Sequence, residues 1–277
     1  MPEWYFIIVM ALFGLLFGSF ANVVIWRLPR GESIATPGSH CPSCDAPIAW
    51  YDNVPVVSWI LLRAKCRRCG APIAARYPAV EAACGVAYAA AAWRFGAGAQ
   101  AVAAALLLWG LLALSLIDIA HFRLPNPLVG ALAVIAGVGA VASEFTGLPI
   151  VPLVGVADSG LFSHPVVAAV LGAFAAGGTA FAVAEGYAFV RKREGLGMGD
   201  VKLLGVLGLF LGLYAFMALA LASMLGVIVV LALSRTTDEP LSQTRIPFGA
   251  LLATGAAIVV FAGPELWSWY LGLVGLA

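Results

Sequence analysis

Two kinds of residue in this chain could do chemistry: thiols in pairs, and carboxylates at membrane depth. Cys41-Pro-Ser-Cys44 and Cys66-Arg-Arg-Cys69 stand 21 residues apart. Each such turn presents two sulfurs to one metal, and the gap lets a hairpin return the second pair, so the four thiols read as a zinc site. Four thiolates close the tetrahedron and leave no position for water, so the expected role is structural. Lys65, Arg67 and Arg68 would offset the negative charge of the site. The alternative is a redox or disulfide pair, which gains ground only in an oxidising compartment. Cys84 is separate, within a predicted helix, and reads as a small buried hydrophobe.

Ionisable groups at membrane depth are costly and are functional candidates by default. Glu81, Asp118, Glu185 and Asp200 qualify. Asp118 closes an apolar run in Leu116-Ile117-Asp118-Ile119-Ala120-His121, followed by Arg123-Leu124-Pro125-Asn126. Asp200 lies in Gly195-Leu196-Gly197-Met198-Gly199-Asp200-Val201-Lys202. There Gly197 and Gly199 open backbone geometry closed to other residues and let another segment approach. Taken singly, Asp118 also fits an interfacial helix end, and Asp200 an N-cap. Taken together, at matched depth, they suggest a dyad. Two carboxyls held close share one proton; one then takes a proton from water while the other donates to a scissile carbonyl. Such chemistry needs no metal and no nucleophilic side chain.

The elements that must position these groups are membrane helices. Of 277 residues, 62% are hydrophobic and 10% charged, with a mean hydropathy of +1.00. A soluble domain carries roughly 25% charged residues, so lipid is the solvent for most of this chain. The net charge of +1 gives no reason to expect a nucleic-acid partner. The run Trp4 to Trp26 is uncharged and lacks the basic start and short core of a cleaved signal peptide. Expected spans are 4–26, 78–95, 98–117, 125–143, 165–188, 201–212, 214–234 and 248–272. The stretch 203–234 is too long for one crossing and is split near Gly212.

The basic residues vote for this arrangement. With the N-terminus outside, all but Arg94 of the fifteen Lys and Arg fall in inside loops, Arg193, Arg235 and Arg245 among them. The expected fold is therefore an all-α polytopic helix bundle of about eight spans. Its parts are a first helix (1–26), a polar cysteine-rich insert (27–77) facing the reducing side, and a core (78–277) bearing both aspartates. An outside loop, 144–164, contains Asp158 and His164 and no readable motif.

At this point the chain resembles the type IV prepilin leader peptidases, membrane aspartyl proteases of the glycine-x-glycine-aspartate class. The resemblance runs through Gly18-Ser19-Phe20-Ala21-Asn22-Val23-Val24, Arg27-Leu28-Pro29, both cysteine pairs and Arg76-Tyr77-Pro78-Ala79-Val80-Glu81. It continues through Ile117-Asp118, Leu124-Pro125, Gly197-Met198-Gly199-Asp200-Val201-Lys202 and Ile246-Pro247-Phe248-Gly249. Each segment is weak alone; their joint order is specific. The resemblance implies that Asp118 and Asp200 are the catalytic pair. It implies prepilin and type II secretion pseudopilin substrates, cut after a glycine between a basic leader and an apolar helix. Cleavage is expected on the cytoplasmic side of a bacterial inner membrane, with methylation of the new N-terminus by S-adenosylmethionine. Asn126 departs from the family pattern, where an aspartate often follows the Leu-Pro.

Several residues have two readings. Glu81 either pairs with a basic residue or contributes to methyl transfer. Lys202 either biases the dyad and binds an acidic substrate group or anchors the helix end. Asn22 and Ser19 are expected to bond across helices. Two rival functions stand beside the protease. A proton-coupled carrier would also use intramembrane carboxylates and broken helices, though at the midplane. A scaffold in a secretion machine would need no chemistry. Asn substitution of the aspartates separates the three.

Overall fold

The structure, a computed structural model, describes residues 3–151, 153, 163–192, 195–234 and 246–275. Asp158, Arg193, Arg235 and Arg245, used above for loops and orientation, lie outside the described residues. Nine helices form among those described: α1 (Glu3–Arg27), α2 (Val57–Leu61), α3 (Arg76–Phe95), α4 (Ala99–His121), α5 (Asn126–Thr146), α6 (Pro165–Arg191), α7 (Met198–Leu211), α8 (Ala215–Leu233) and α9 (Phe248–Leu273). No strand is found among the described residues; the cysteine region holds only isolated bridges. Among the described residues, six segments are long and apolar enough to cross a membrane. One of them, Met198–Leu233, breaks between α7 and α8, where Gly212 takes φ 57°. A helix break therefore falls where the split was expected, at Gly212. α3 is as long as a span but less apolar, because Arg76, Glu81 and Arg94 interrupt its alanines.

The chain divides into two compact units, Met1–Ala113 and Leu114–Ala277, with the division inside α4. In the first unit α1 packs on α3 through Gly14 and Gly18, one turn apart. A methyl on Gly18 would lie 2.5 Å from the Glu81 Cα, and one on Gly14 would lie 2.5 Å from the Cys84 carbonyl oxygen. Without water to drive association, membrane helices gain by such close backbone approach, which small residues allow. Asn22 Nδ2 donates across to the Tyr77 carbonyl at 3.1 Å, the interhelical bond expected of it. Trp109 Nε1 donates to the Phe17 carbonyl at 2.9 Å, and its ring stacks on Phe20. Cys84 is fully buried, as expected.

In the second unit α6 and α7 approach at Gly172 and Gly208, where a side chain on either would strike the other's backbone. The end of α5 and its following turn are tied by Ser143, whose hydroxyl accepts from the Ile150 and Val151 amides at 3.0 Å each. His164 Nδ1 lies 3.0 Å from Glu144 Oε1, so the described part of loop 144–164 is pinned to the helices that flank it. The outer face of α8 exposes Met224, Val227, Ile228 and Leu231, a face suited to lipid.

Candidate functional site: a carboxylate pair and a thiol quartet

Asp118 and Asp200 both lie in the second unit. Asp118 stands on the last turn of α4, which ends where the Phe122 amide donates to the Asp118 carbonyl and Phe122 turns to φ 51°. Its side chain is buried. Carboxylate oxygen Oδ2 accepts the Ala250 N–H at 3.1 Å, and the Gly249 N–H also points to it. These are amides of the first turn of α9, donors without intrahelical partners, so Asp118 caps that helix end from across the unit. Gly249 allows the approach: a methyl there would lie 2.9 Å from Asp118 Oδ2.

Asp200 is the third residue of α7, and Gly197, not Asp200, holds the N-cap position. The carboxylate folds back over Gly197 and accepts its N–H, the reach-back half of a capping box. Asp200 is half-buried, and the negative charge of Asp118 acts on it. Leu124 joins the two segments. Methyls on Gly199 and Gly249 would lie 3.2 Å and 2.9 Å from its side chain. Leu124 is thus clasped between the two glycines, one in the segment of each acid.

Lys202 does not reach either acid: its Nζ donates to Asn126 Oδ1 at 3.0 Å. The departure from the family pattern at Asn126 is thereby matched by a partner. His121 is exposed at the end of α4. Beside the pair, a groove of about 510 Å³ runs between α6 and α8. Its lining includes Leu196 and Phe248, the chain neighbours of Gly197 and Gly249.

In the first unit the four cysteine sulfurs all lie within 4.8 Å of one another. Cys41 and Cys69 sulfurs are 3.8 Å apart, and all four thiols are free. At a zinc–sulfur distance of about 2.3 Å a tetrahedron has edges of roughly 3.8 Å, so the quartet fits zinc. The two knuckles are copies. Cys41 and Cys66 amides donate to Ala46 and Ala71 carbonyls at 2.9 and 2.8 Å, and Asp45 and Gly70 amides return to Cys41 and Cys66 carbonyls at 2.8 and 2.9 Å. The sequence carries the same eight-residue pattern twice, Cys-Pro-Ser-Cys-Asp-Ala-Pro-Ile and Cys-Arg-Arg-Cys-Gly-Ala-Pro-Ile. This short repeat is a signal that the pair spacing alone does not convey.

Backbone N–H groups of Ser43 and Cys44 aim at the Cys41 sulfur and hold its thiol down, at about 6. At Cys69 the Ala71 N–H lowers, but the Cys44 sulfur, burial and the other two sulfurs outweigh it, and the thiol is pushed up to about 11. Four sulfurs this close resist full deprotonation until a cation joins them. Arg67 grips Asp52 through two bonds of 2.8 and 2.7 Å, which fixes the second knuckle against the intervening turn.

Glu81 makes no ion pair among the described residues. Its Oε2 accepts the Val56 N–H at 2.8 Å, and the Ser19 hydroxyl also bonds its carboxylate. The basic partner considered for it is replaced by an amide of the insert.

Two acids thus stand in one apolar helical unit, each beside a glycine that meets Leu124, the arrangement of carboxylates that a membrane enzyme of the aspartyl class requires. Comparison with known proteins gives the family. A model described as "Type IV leader peptidase family" matches residues 105–231, and one described as "Bacterial Peptidase A24 N-terminal domain" matches 12–95. The chain is 34% identical to a prepilin leader peptidase/N-methyltransferase of Stutzerimonas stutzeri, over 96% of this chain and 94% of that protein. It is 34% identical to one of Pseudomonas aeruginosa (98% and 95%), and 36% identical to one of Myxococcus xanthus (85% and 68%). No solved structure matches. The chain belongs to the type IV leader peptidase family.

Proposed function

We propose that this chain is a bifunctional membrane enzyme that removes the basic leader from type IV prepilins and pseudopilins and then methylates the new N-terminus. Asp118 and Asp200 carry the cleavage. Asp118, held by the Gly249 and Ala250 amides, is the base that takes a proton from water. Asp200, half-buried and facing that charge, carries the shared proton and gives it to the scissile carbonyl.

The observation that carries the reading is the anchoring of Asp118 on the first turn of α9, with its charge acting on the Gly-flanked Asp200. The groove between α6 and α8 suits the apolar helix of the substrate. It is continuous with the residues next to both acids, so a helix lying in it would present its polar leader at the pair. The inner membrane, an outside N-terminus and a cytoplasmic site complete the proposal, on the bias of the basic loops. Zinc belongs to the insert, where Cys41, Cys44, Cys66 and Cys69 would hold it and keep the two knuckles together. S-adenosylmethionine would supply an electrophilic methyl group.

The experiment is incubation of purified protein in detergent with a model prepilin and S-adenosylmethionine, followed by mass spectrometry. Loss of the leader mass and a gain of one methyl are expected. An intact substrate would reject the protease, and a cleaved, unmethylated product would reject the second activity.

A further inference from the structure

The first unit buries a set of hydrogen-bond acceptors with no basic side chain paired to it among the described residues. Glu81 on α3 is 9% exposed and Asn22 on α1 is 5% exposed. Both lie along the seam where α1 and α3 touch at Gly18, whose missing side chain makes room for the Glu81 backbone: Asn22 bonds Tyr77 of α3, and Glu81 is bonded by Ser19 of α1. Asn22 Nδ2 is spent on the Gly18 and Tyr77 carbonyls, which fixes the amide's orientation. Its Oδ1 is buried with no partner among the described residues. Tyr77 lies one turn from Glu81 on α3, and Ser19 lies one turn from Asn22 on α1. The Ser19 hydroxyl and the Val56 N–H account for two of the roughly four acceptor positions of the carboxylate.

Burying a carboxylate without a counter-charge, and a carboxamide oxygen without a donor, costs stability, and a bound cation rich in donors would answer both. The cover is a turn of the insert. Val56, a β-branched residue, sits there at φ 61°, a conformation such residues rarely adopt. A ligand that fits is positively charged, compact, rich in donors and free of acceptors. A primary ammonium has three donors and no acceptor.

We propose that Glu81 and Asn22 form a binding site for the free α-ammonium of the cleaved substrate, with Glu81 as the group that takes its proton. This deepens the methyltransferase reading and rests on it. The Asn22 Oδ1 positions the ammonium, and the Glu81 carboxylate pairs with it. One proton passes from nitrogen to Glu81, which frees the lone pair. The sulfonium methyl donor supplies the methyl carbon to that lone pair, its carbon–sulfur bond breaking and the electron pair leaving on sulfur as a neutral thioether.

The test uses the full-length protein and a peptide with the mature substrate sequence, as the free amine and as its N-acetyl form. Equilibrium binding is measured first, with no methyl donor. Wild type is expected to bind the free amine at least about tenfold tighter than the acetylated peptide. Glu81→Gln keeps an acceptor oxygen for the Val56 N–H, and its amide can still bond the Ser19 hydroxyl, but it removes the charge, so it should fold and should lose that preference. With methyl donor added, Glu81→Gln should methylate at least about a hundredfold more slowly, and Glu81→Asp should recover part of the loss. Asn22→Ala should raise KM for the amine about tenfold with kcat little changed. Equal binding of the two peptides by wild type, or an unchanged preference in Glu81→Gln, would overturn the site. A wild type that prefers the free amine yet never methylates would reject the methyltransferase reading and leave the ammonium site standing.

Discussion

Gly249 stands where any side chain would press on the Asp118 carboxylate: a Cβ there would lie 2.9 Å from Oδ2 and equally close to Leu124. The same backbone supplies the amides that hold Asp118. Gly249→Ala should therefore shift the acid or its clamp by a few tenths of an ångström. Overpacking of this kind costs about 1–3 kcal/mol, and small misplacements of reacting groups cost up to about a hundredfold in rate. The expected outcome is a fall of about tenfold to a hundredfold in kcat/KM for leader cleavage with the protein still folded. A wild-type rate would show that the clasp of Leu124 and Asp118 by this glycine is idle.

The contrast of Gly18 with Gly178 tests the packing of α1 on α3. A methyl on Gly18 would meet backbone at 2.5 Å, while one on Gly178 meets open space. Gly18→Ala should lower stability by about 1–3 kcal/mol, and Gly178→Ala should be neutral or slightly stabilising. Thermal unfolding in detergent reads both. Equal melting temperatures would deny the close approach.

The quartet should bind one zinc per chain, measured by metal analysis. Cys41→Ser or Cys66→Ser should remove it and loosen the insert. Protons compete with the metal for thiolate, so zinc should be lost as pH falls and regained as it rises. Methylation should suffer more than cleavage from Cys41→Ser, because the Val56 turn over Glu81 belongs to the same insert. Zinc content unchanged by either substitution would reject the site.

Lys202 and Asn126 form an exposed contact that includes neither acid. Asn126→Asp would turn it into an ion pair, worth about 0.5 kcal/mol. Lys202→Met should lose a similar amount and leave cleavage within about threefold. A loss of cleavage comparable to that of the aspartates would instead restore Lys202 to the chemistry.

What the sequence disclosed follows from which signals are local. The knuckles announce themselves within eight residues, and the break at Gly212 follows from an apolar run too long for one crossing. Asp118 and Asp200 stood out because charge is rare at that depth. The donors on Asp118 did not, since Ala250 is 132 residues away in the chain and offers a backbone amide with no side-chain signature. Glu81 is the same case: its partner is the Val56 N–H, and only the fold brings that turn to α3. Asp200 read as a possible cap is a third-position residue reaching back, a one-turn difference that periodicity does not resolve.

The central claim is that Asp118 and Asp200 act as a pair on one water. The direct measurement is leader cleavage by Asp118→Asn and Asp200→Asn, each purified with wild-type melting behaviour and zinc content and followed by mass spectrometry of a model prepilin. The account predicts that each variant alone loses at least about a thousandfold in kcat/KM, and that the double variant is scarcely worse than either. Cleavage near the wild-type rate by either folded variant would contradict it.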